Sequence, residues 1–214
     1  MTAVTAVTET RRPLVVPGDK VALAMMIPAD VADIARWHQN LEFTALMGTP
    51  GEIQTVEMRQ EAFQRGGRPS SSSVEFAVVT PTSGSLVGFG GLFDISRART
   101  ASLFVGIDPA LWGQGYGTEA TRLICAYGFF FLSLYSIHLQ VHAYNAAGLG
   151  AYERVGFKYA GRLRGVLLLD GARHDDILMD LLRDEFIASQ IASQNEPFRA
   201  FARSAYGSGS GASK

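Results

Sequence analysis

The chain has 214 residues, 47% of them hydrophobic and 18% charged, which suits one folded domain with a substantial core. Its formal net charge of −1 gives no global field for nucleic acid or an anionic membrane, and argues against binding either as its main task. The single cysteine, Cys125, excludes an internal disulfide and a cysteine-built metal site, and fits a reducing, cytoplasmic setting.

Residues 1–18 lack the long apolar stretch of a signal peptide and are expected to form a flexible N-terminal arm. Residues 21–27 read as a first strand ended by Pro28. Asp30 is placed to cap a helix reaching about residue 37, with Val31, Ile34 and Ala35 on one face. Residues 40–51 are loop-like, a second helix follows over 53–65, and 66–73 (GGRPSSSS) read as a surface connection. Strands over 74–80 and 86–93, joined by turn residues 81–84, give an antiparallel hairpin. The next strand, 101–107, stops at Asp108-Pro109.

After a glycine-rich stretch, a helix runs to about residue 132, with Ala120, Leu123, Ile124, Tyr127 and Phe131 at helical spacing. Cys125 falls inside it and reads as a packing residue. The longest apolar run, 127–135, is far too short to span a bilayer. Ile137, Leu139 and Val141 alternate with polar neighbours as in a strand. A short helix runs from Asn145 to about residue 155. Two final strands, 157–169 and 173–181, flank Asp170-Gly171, a strong hairpin signal. Residues 184–206 form a C-terminal extension expected to be partly helical, and 207–214 (GSGSGASK) a disordered tail. The domain proper is expected over 19–183. The order β-α-α-β-β-β-α-β-α-β-β implies an α/β (α+β) fold, a mixed sheet with helices on its faces.

Residues 103–124 read LFVGIDPALWGQGYGTEATRLI. A strand leads into Gly113, Gly115 and Gly117 and then directly into a helix. Glycines let successive N–H groups face one point, and the helix adds its unpaired N–H groups and positive dipole end. Together these make a site suited to a diphosphate. The spacing G-x-G-x-G, followed by Thr118, is not the dinucleotide fingerprint, and no Gly-Lys-Ser/Thr marks a nucleotide P-loop. Such a loop alone could equally be a plain tight turn.

A second element lies downstream, in NAAGLGAYERVGF (residues 145–157). Together, WGQGYGTEA and N-x-x-G-x-x-x-Y-x-x-x-G-F resemble the GNAT superfamily of acetyltransferases, most closely its RimJ/RimL-like branch, over about residues 21–182. The resemblance implies a GNAT fold, a mostly antiparallel twisted sheet of about seven strands. It also implies acetyl-CoA as acyl donor and an amine acceptor, either a protein N-terminus or a small molecule. By resemblance, backbone groups of Val105 and Ile107 would pair with the pantetheine amides. Gly113, Gln114, Gly115, Gly117 and Thr118 would surround the diphosphate, Asn145 would hold the pantetheine arm, and Tyr152 would be the general acid. No metal is implied, and the protein is expected to act as a monomer or homodimer. Trp112 stands where the family often has Gln or Arg, with little consequence for a contact made through main-chain N–H groups.

Acetyl transfer needs a neutral amine, a stabilised oxyanion and a protonated leaving thiol. An alkyl amine with a pKa of about 10.4 is mostly protonated at neutral pH, so a base or a water path must take its proton. Relatives often carry Glu where this chain has Ser102, and serine is no base unaided. Glu75, Asp94, His174 or a water are the substitutes. His138 and His142 share a strand face, with no carboxylate in view to complete a metal site, and read as ordinary packing. Glu119 and Arg122 read as a solvated helix pair. Acceptor choice is expected from residues 40–51 and from the 170–171 hairpin, with Arg162, Arg164 and His174 near it. The rival reading, supported by Ser102 and the helix-weakening Gly148 and Gly150, is a degenerate acyl-CoA-binding sensor without turnover.

Overall fold

A computed structural model gives the architecture and describes residues 12–66 and 71–192. One sheet of eight strands runs in the order β1-β2-β3-β4-β5-β6-β8-β7. The strands are β1 (Leu14–Val16), β2 (Ala22–Ala24), β3 (Val74–Val79), β4 (Leu86–Phe93), β5 (Thr100–Ile107), β6 (Ser136–His142), β7 (Lys158–Leu169) and β8 (Ala172–Leu182). Helices α1 (Asp30–Trp37), α2 (Leu41–Leu46) and α3 (Val56–Gly66) fall between β2 and β3. Helix α4 (Tyr116–Phe130) follows β5, α5 (Ala146–Val155) follows β6, and α6 (Arg183–Ala192) follows β8.

The expected mixed, mostly antiparallel sheet is present with eight strands, β1 among them at residues 14–16. Two expectations are corrected here. Residues 40–51 are not all loop: Asn40 accepts the N–H groups of Glu42 and Phe43 at 2.9 and 3.1 Å and starts α2. Asp30 does not cap α1, whose N-cap is Ala29 without a side-chain bond. The Asp30 carboxylate instead accepts the Ile27 N–H at 2.9 Å and both terminal nitrogens of Arg12 at 3.0 and 2.7 Å, tying the β1 end of the chain to α1. The hairpin at Asp170-Gly171 has positive φ at both residues, +51° and +73°, the twist that two-residue hairpins favour. Expectations for residues 1–11, the middle of the 66–73 connection, the end of the C-terminal extension and the 207–214 tail lie outside the described residues.

Alternation along the strands sorts the two faces. Ala101, Leu103 and Ile107 of β5 and Ile137, Leu139 and Val141 of β6 join Ile124 and Phe129 of α4 and Phe186 of α6 in the main core. Ile124, Phe129, Ile137 and Phe186 are fully buried, each contributing about 2 kcal/mol relative to exposure. The opposite face of the sheet carries Phe89 and Phe104, covered by Ile34 and Trp37 of α1 and Phe43 of α2.

The sheet has one fault. All neighbouring strands run antiparallel except β5 and β6, which are parallel. Those two pair only at Thr100–Ser136, Ala101–Ile137 and Ser102–His138. Beyond that rung β5 continues to Ile107 and β6 to His142 unpaired with each other, so a wedge opens between them. The Asp108 N–H bonds the Val87 carbonyl at 2.9 Å, which sets the phase of the β4–β5 ladder. In an antiparallel ladder the bonded pairs alternate, so main-chain groups of Val105 and Ile107 point away from β4 and into the wedge.

Candidate active site

The glycine loop is assembled from the end of β5. The Asp108 carboxylate accepts the Ala110 N–H at 2.9 Å and starts a single 3-10 turn, Pro109–Leu111. Trp112 folds back and gives its indole N–H to the Ile107 carbonyl at 2.9 Å, so this tryptophan latches the loop to the strand. Gly113 and Gly115 then take left-handed φ values of +77° and +83°, a conformation that side-chain-bearing residues adopt only at a cost. Gly115 is the N-cap of α4 and offers no side chain to its first turn. Among the described residues, the main-chain N–H groups of residues 113–118 have no acceptor within the chain. An array of unpaired donors at a helix start is a site for an anion.

Basic side chains that the sequence did not flag frame this array. Lys20 Nζ donates to the Gln114 carbonyl at 3.1 Å and lies 3.3 Å from where a Cβ on Gly115 would sit. The reason is Glu119, which is no partner of Arg122 as expected. Its carboxylate accepts the N–H groups of Asp19 and Lys20 at 2.6 and 2.9 Å and staples that loop to the first turn of α4. Arg122 and Arg154 also line the same cleft. Helical spacing places Arg122 one turn beyond Thr118 and could have found it. Nothing in the sequence pattern points to Lys20, because its position depends on a contact a hundred residues away.

The loop opens into a cleft of about 980 Å³. All nine residues singled out from the sequence line it: Val105, Ile107, Gly113, Gln114, Gly115, Gly117, Thr118, Asn145 and Tyr152. Asn145 is also the N-cap of α5, its Oδ1 accepting the Gly148 N–H at 2.8 Å. Tyr152 reaches the cleft from the α4 side, packed edge-on against Phe157, and its hydroxyl has no bond within the described chain. Burial foremost, with Cys125 nearby, pushes its pKa up to about 12, so the phenol keeps its proton at neutral pH. Cys125 is fully buried, its thiol pKa pushed up mainly by burial.

The expected bases are placed elsewhere. Glu75 bonds Arg59 at 3.1 Å, His174 sits edge-on to Tyr144, and neither these two nor Asp94 line the cleft. Burial raises the Glu75 pKa against the opposing pull of Arg59. Ser102 bonds His138 Nε2 at 2.8 Å on the last paired rung of β5 and β6. His142 has a carboxylate partner after all. Asp176, its cross-strand neighbour on β8, bonds His142 Nδ1 at 2.5 Å through one oxygen and Gln140 Nε2 through the other. Strand register supplies that partner 34 residues later in sequence. Among the described residues no group of three or more His, Cys, Asp or Glu could hold a metal ion. None of the described helices is long and apolar enough to cross a membrane.

Glu42, Phe43 and Leu46 of α2 and its C-cap Met47 also line the cleft. Residues of the 170–171 turn do not line it, and Arg162 is held by Asp175.

Residues 20–158 match the family model described as an acetyltransferase (GNAT) domain. A probable N-acetyltransferase of Bacillus subtilis, YjcK, is 30% identical over 137 residues, 63% of this chain and 73% of that protein. The spermidine N(1)-acetyltransferase of Escherichia coli is 29% identical over 111 residues, 51% of this chain and 60% of that protein. Among solved structures, the spermidine N-acetyltransferase from Vibrio cholerae in complex with CoA and spermine superposes with a TM-score of 0.73. It shares 20% identity and covers 79% of this chain and 99% of its own, a likeness of fold.

Proposed function

This chain belongs to the GNAT acetyltransferase family, and from that premise we propose that it moves an acetyl group from acetyl-CoA directly to a primary amine. The observation that carries this is the convergence, in one cleft, of unpaired amides at residues 113–118 with the open wedge between β5 and β6. The amides and Lys20 receive the diphosphate, and the α4 dipole adds its positive end. Main-chain groups of Val105 and Ile107 bond the pantetheine arm as an added strand would, beside Asn145. That brings the thioester to the wedge, where a strand N–H near Val105 meets the oxyanion. Tyr152 gives its proton to the departing sulfur. A thiol leaves with a pKa of about 8.5, well below that of the phenol, so the transfer follows charge as it develops on sulfur.

The wall that α2 would give the acceptor is mostly apolar, with Glu42 its one carboxylate beside Phe43, Leu46 and Met47. This suits a primary amine carried on a largely apolar or peptide body better than a polycation, although relatives are named for spermidine. Calorimetry with acetyl-CoA, followed by thiol release against a panel of peptides, small amines and spermidine, tests the proposal. Binding with release for at least one amine supports it. No heat overturns it, and binding without release across a broad panel favours the sensor.

A further inference from the structure

We infer that His142, oriented by Asp176, is the base that takes the proton from the acceptor amine. This rests on the transferase reading above and supplies the group that Ser102 leaves missing. His142 ends β6, on the unpaired arm of the wedge. Ser102, His138, Gln140 and His142 alternate with the core residues and so lie on the α1–α2 face of the sheet, while Tyr152 comes from the α4 face. A proton acceptor and a proton donor therefore flank the wedge from opposite sides.

Asp176 is only 3% exposed and both of its oxygens are engaged, by His142 Nδ1 and Gln140 Nε2. A carboxylate accepts, so Nδ1 carries a proton, and in the neutral ring the lone pair is at Nε2. Among the described residues nothing bonds Nε2, yet it is not sealed off as a buried orphan. It looks toward Gly48, the residue after Met47, 3.4 Å from where a Cβ there would stand; His142 and Gly48 sit just behind the residues that line the cleft, so the proton of the amine reaches Nε2 through one water. The ring stacks on Tyr144, centroids 5.2 Å apart, and Tyr144 lines the cleft with its hydroxyl donating to the Ala45 carbonyl. The titratable neighbours are thus Asp176 from β8, Tyr144 from the β6–α5 turn and, beyond it, His174. His138 is a poorer candidate, since its Nε2 is spent on Ser102 at a closed rung.

The protons balance. The amine arrives as an ammonium, and Nε2 takes one proton and returns it to solvent. The nitrogen lone pair forms the N–C bond, and the C–S pair leaves with sulfur. Tyr152 protonates that sulfur and regains a proton from the new amide nitrogen. One proton is released per turnover.

The test compares the wild type with His142→Gln and Asp176→Asn, using an amine that the wild type acetylates. Both variants should bind acetyl-CoA with unchanged heat while kcat/KM falls about 10²- to 10⁴-fold at pH 7 for His142→Gln. The wild type should lose kcat on the acid side, and that loss should vanish in His142→Gln. Its deficit should shrink as pH climbs toward the amine's own pKa, where the acceptor needs no base. Asp176→Asn should lower kcat with the KM for acetyl-CoA unchanged. Wild-type turnover by either folded variant overturns the inference, as does a wild-type kcat without any acid-side fall. A wild type that binds acetyl-CoA but acetylates nothing would instead sink the transferase reading.

Discussion

Tyr152 and Lys20 do different work at the same cleft, and single substitutions separate them. Tyr152→Phe removes one hydroxyl that bonds nothing else in the described chain, so the fold should keep its stability. Turnover is expected to fall by about 10²-fold while calorimetry gives nearly the same affinity for acetyl-CoA. Lys20→Ala should do the reverse. The Lys20 ammonium is exposed and held to the Gln114 carbonyl, so its loss should weaken coenzyme binding by about three- to tenfold with kcat kept. Added salt should narrow that gap, because screening already weakens an exposed charge. Tyr152 was legible in sequence because its spacing from Asn145 sits inside a family motif. Lys20 was not, because Glu119 positions it across the fold.

Among the elements, α4 and its glycine loop, the β7–β8 hairpin and β6 were written in local chemistry: left-handed glycines, an Asp-Gly turn, strict alternation. Helix α2 was missed although Asn40 is a good cap, because its six residues are too short for periodicity to show. The wedge was beyond sequence reading altogether. It depends on where a ladder stops, and Leu103 and Leu139 look like ordinary strand residues. The Asp176 partner of His142 was hidden for the same reason, since only strand register brings them together. Strand β4 gives a test at this scale. A Cβ on Gly91 would sit 2.0 Å from the Val74 carbonyl oxygen, a main-chain atom that cannot swing aside. Gly91→Ala is expected to push β3 off β4 and to lower the melting temperature by many degrees, or to leave the protein insoluble, as circular dichroism and solubility would show. Gly171→Ala, where nothing lies within 4 Å, should be milder and show only the turn's φ cost.

For the molecule as a whole, the aromatic layer joining α1, α2 and β4 makes stability depend on pH. His38 is buried edge-on to Phe43 at 5.2 Å, and bonds the Ile34 carbonyl at 2.9 Å through Nδ1. Burial foremost lowers its pKa from 6.5. The unfolded chain therefore binds a proton that the folded chain resists, and folding stability should drop as pH falls below about 6.5. Above that value the imidazole is neutral in both states and contributes no slope. Melting curves from pH 8 to 5 should show His38→Gln, which keeps a donor for Ile34, losing less stability on acidification than the wild type. Equal losses would mean that groups other than His38 set the acid response.

Cys125 has a practical consequence at the bench. With its sulfur at 0% exposure and reluctant to ionise, it offers almost nothing to a chromogenic disulfide dye, which reacts with thiolates. Colour developing in a native reaction mixture would therefore report liberated coenzyme against a nearly blank protein baseline. A cysteine engineered at the rim would be the only site open to a fluorescent maleimide.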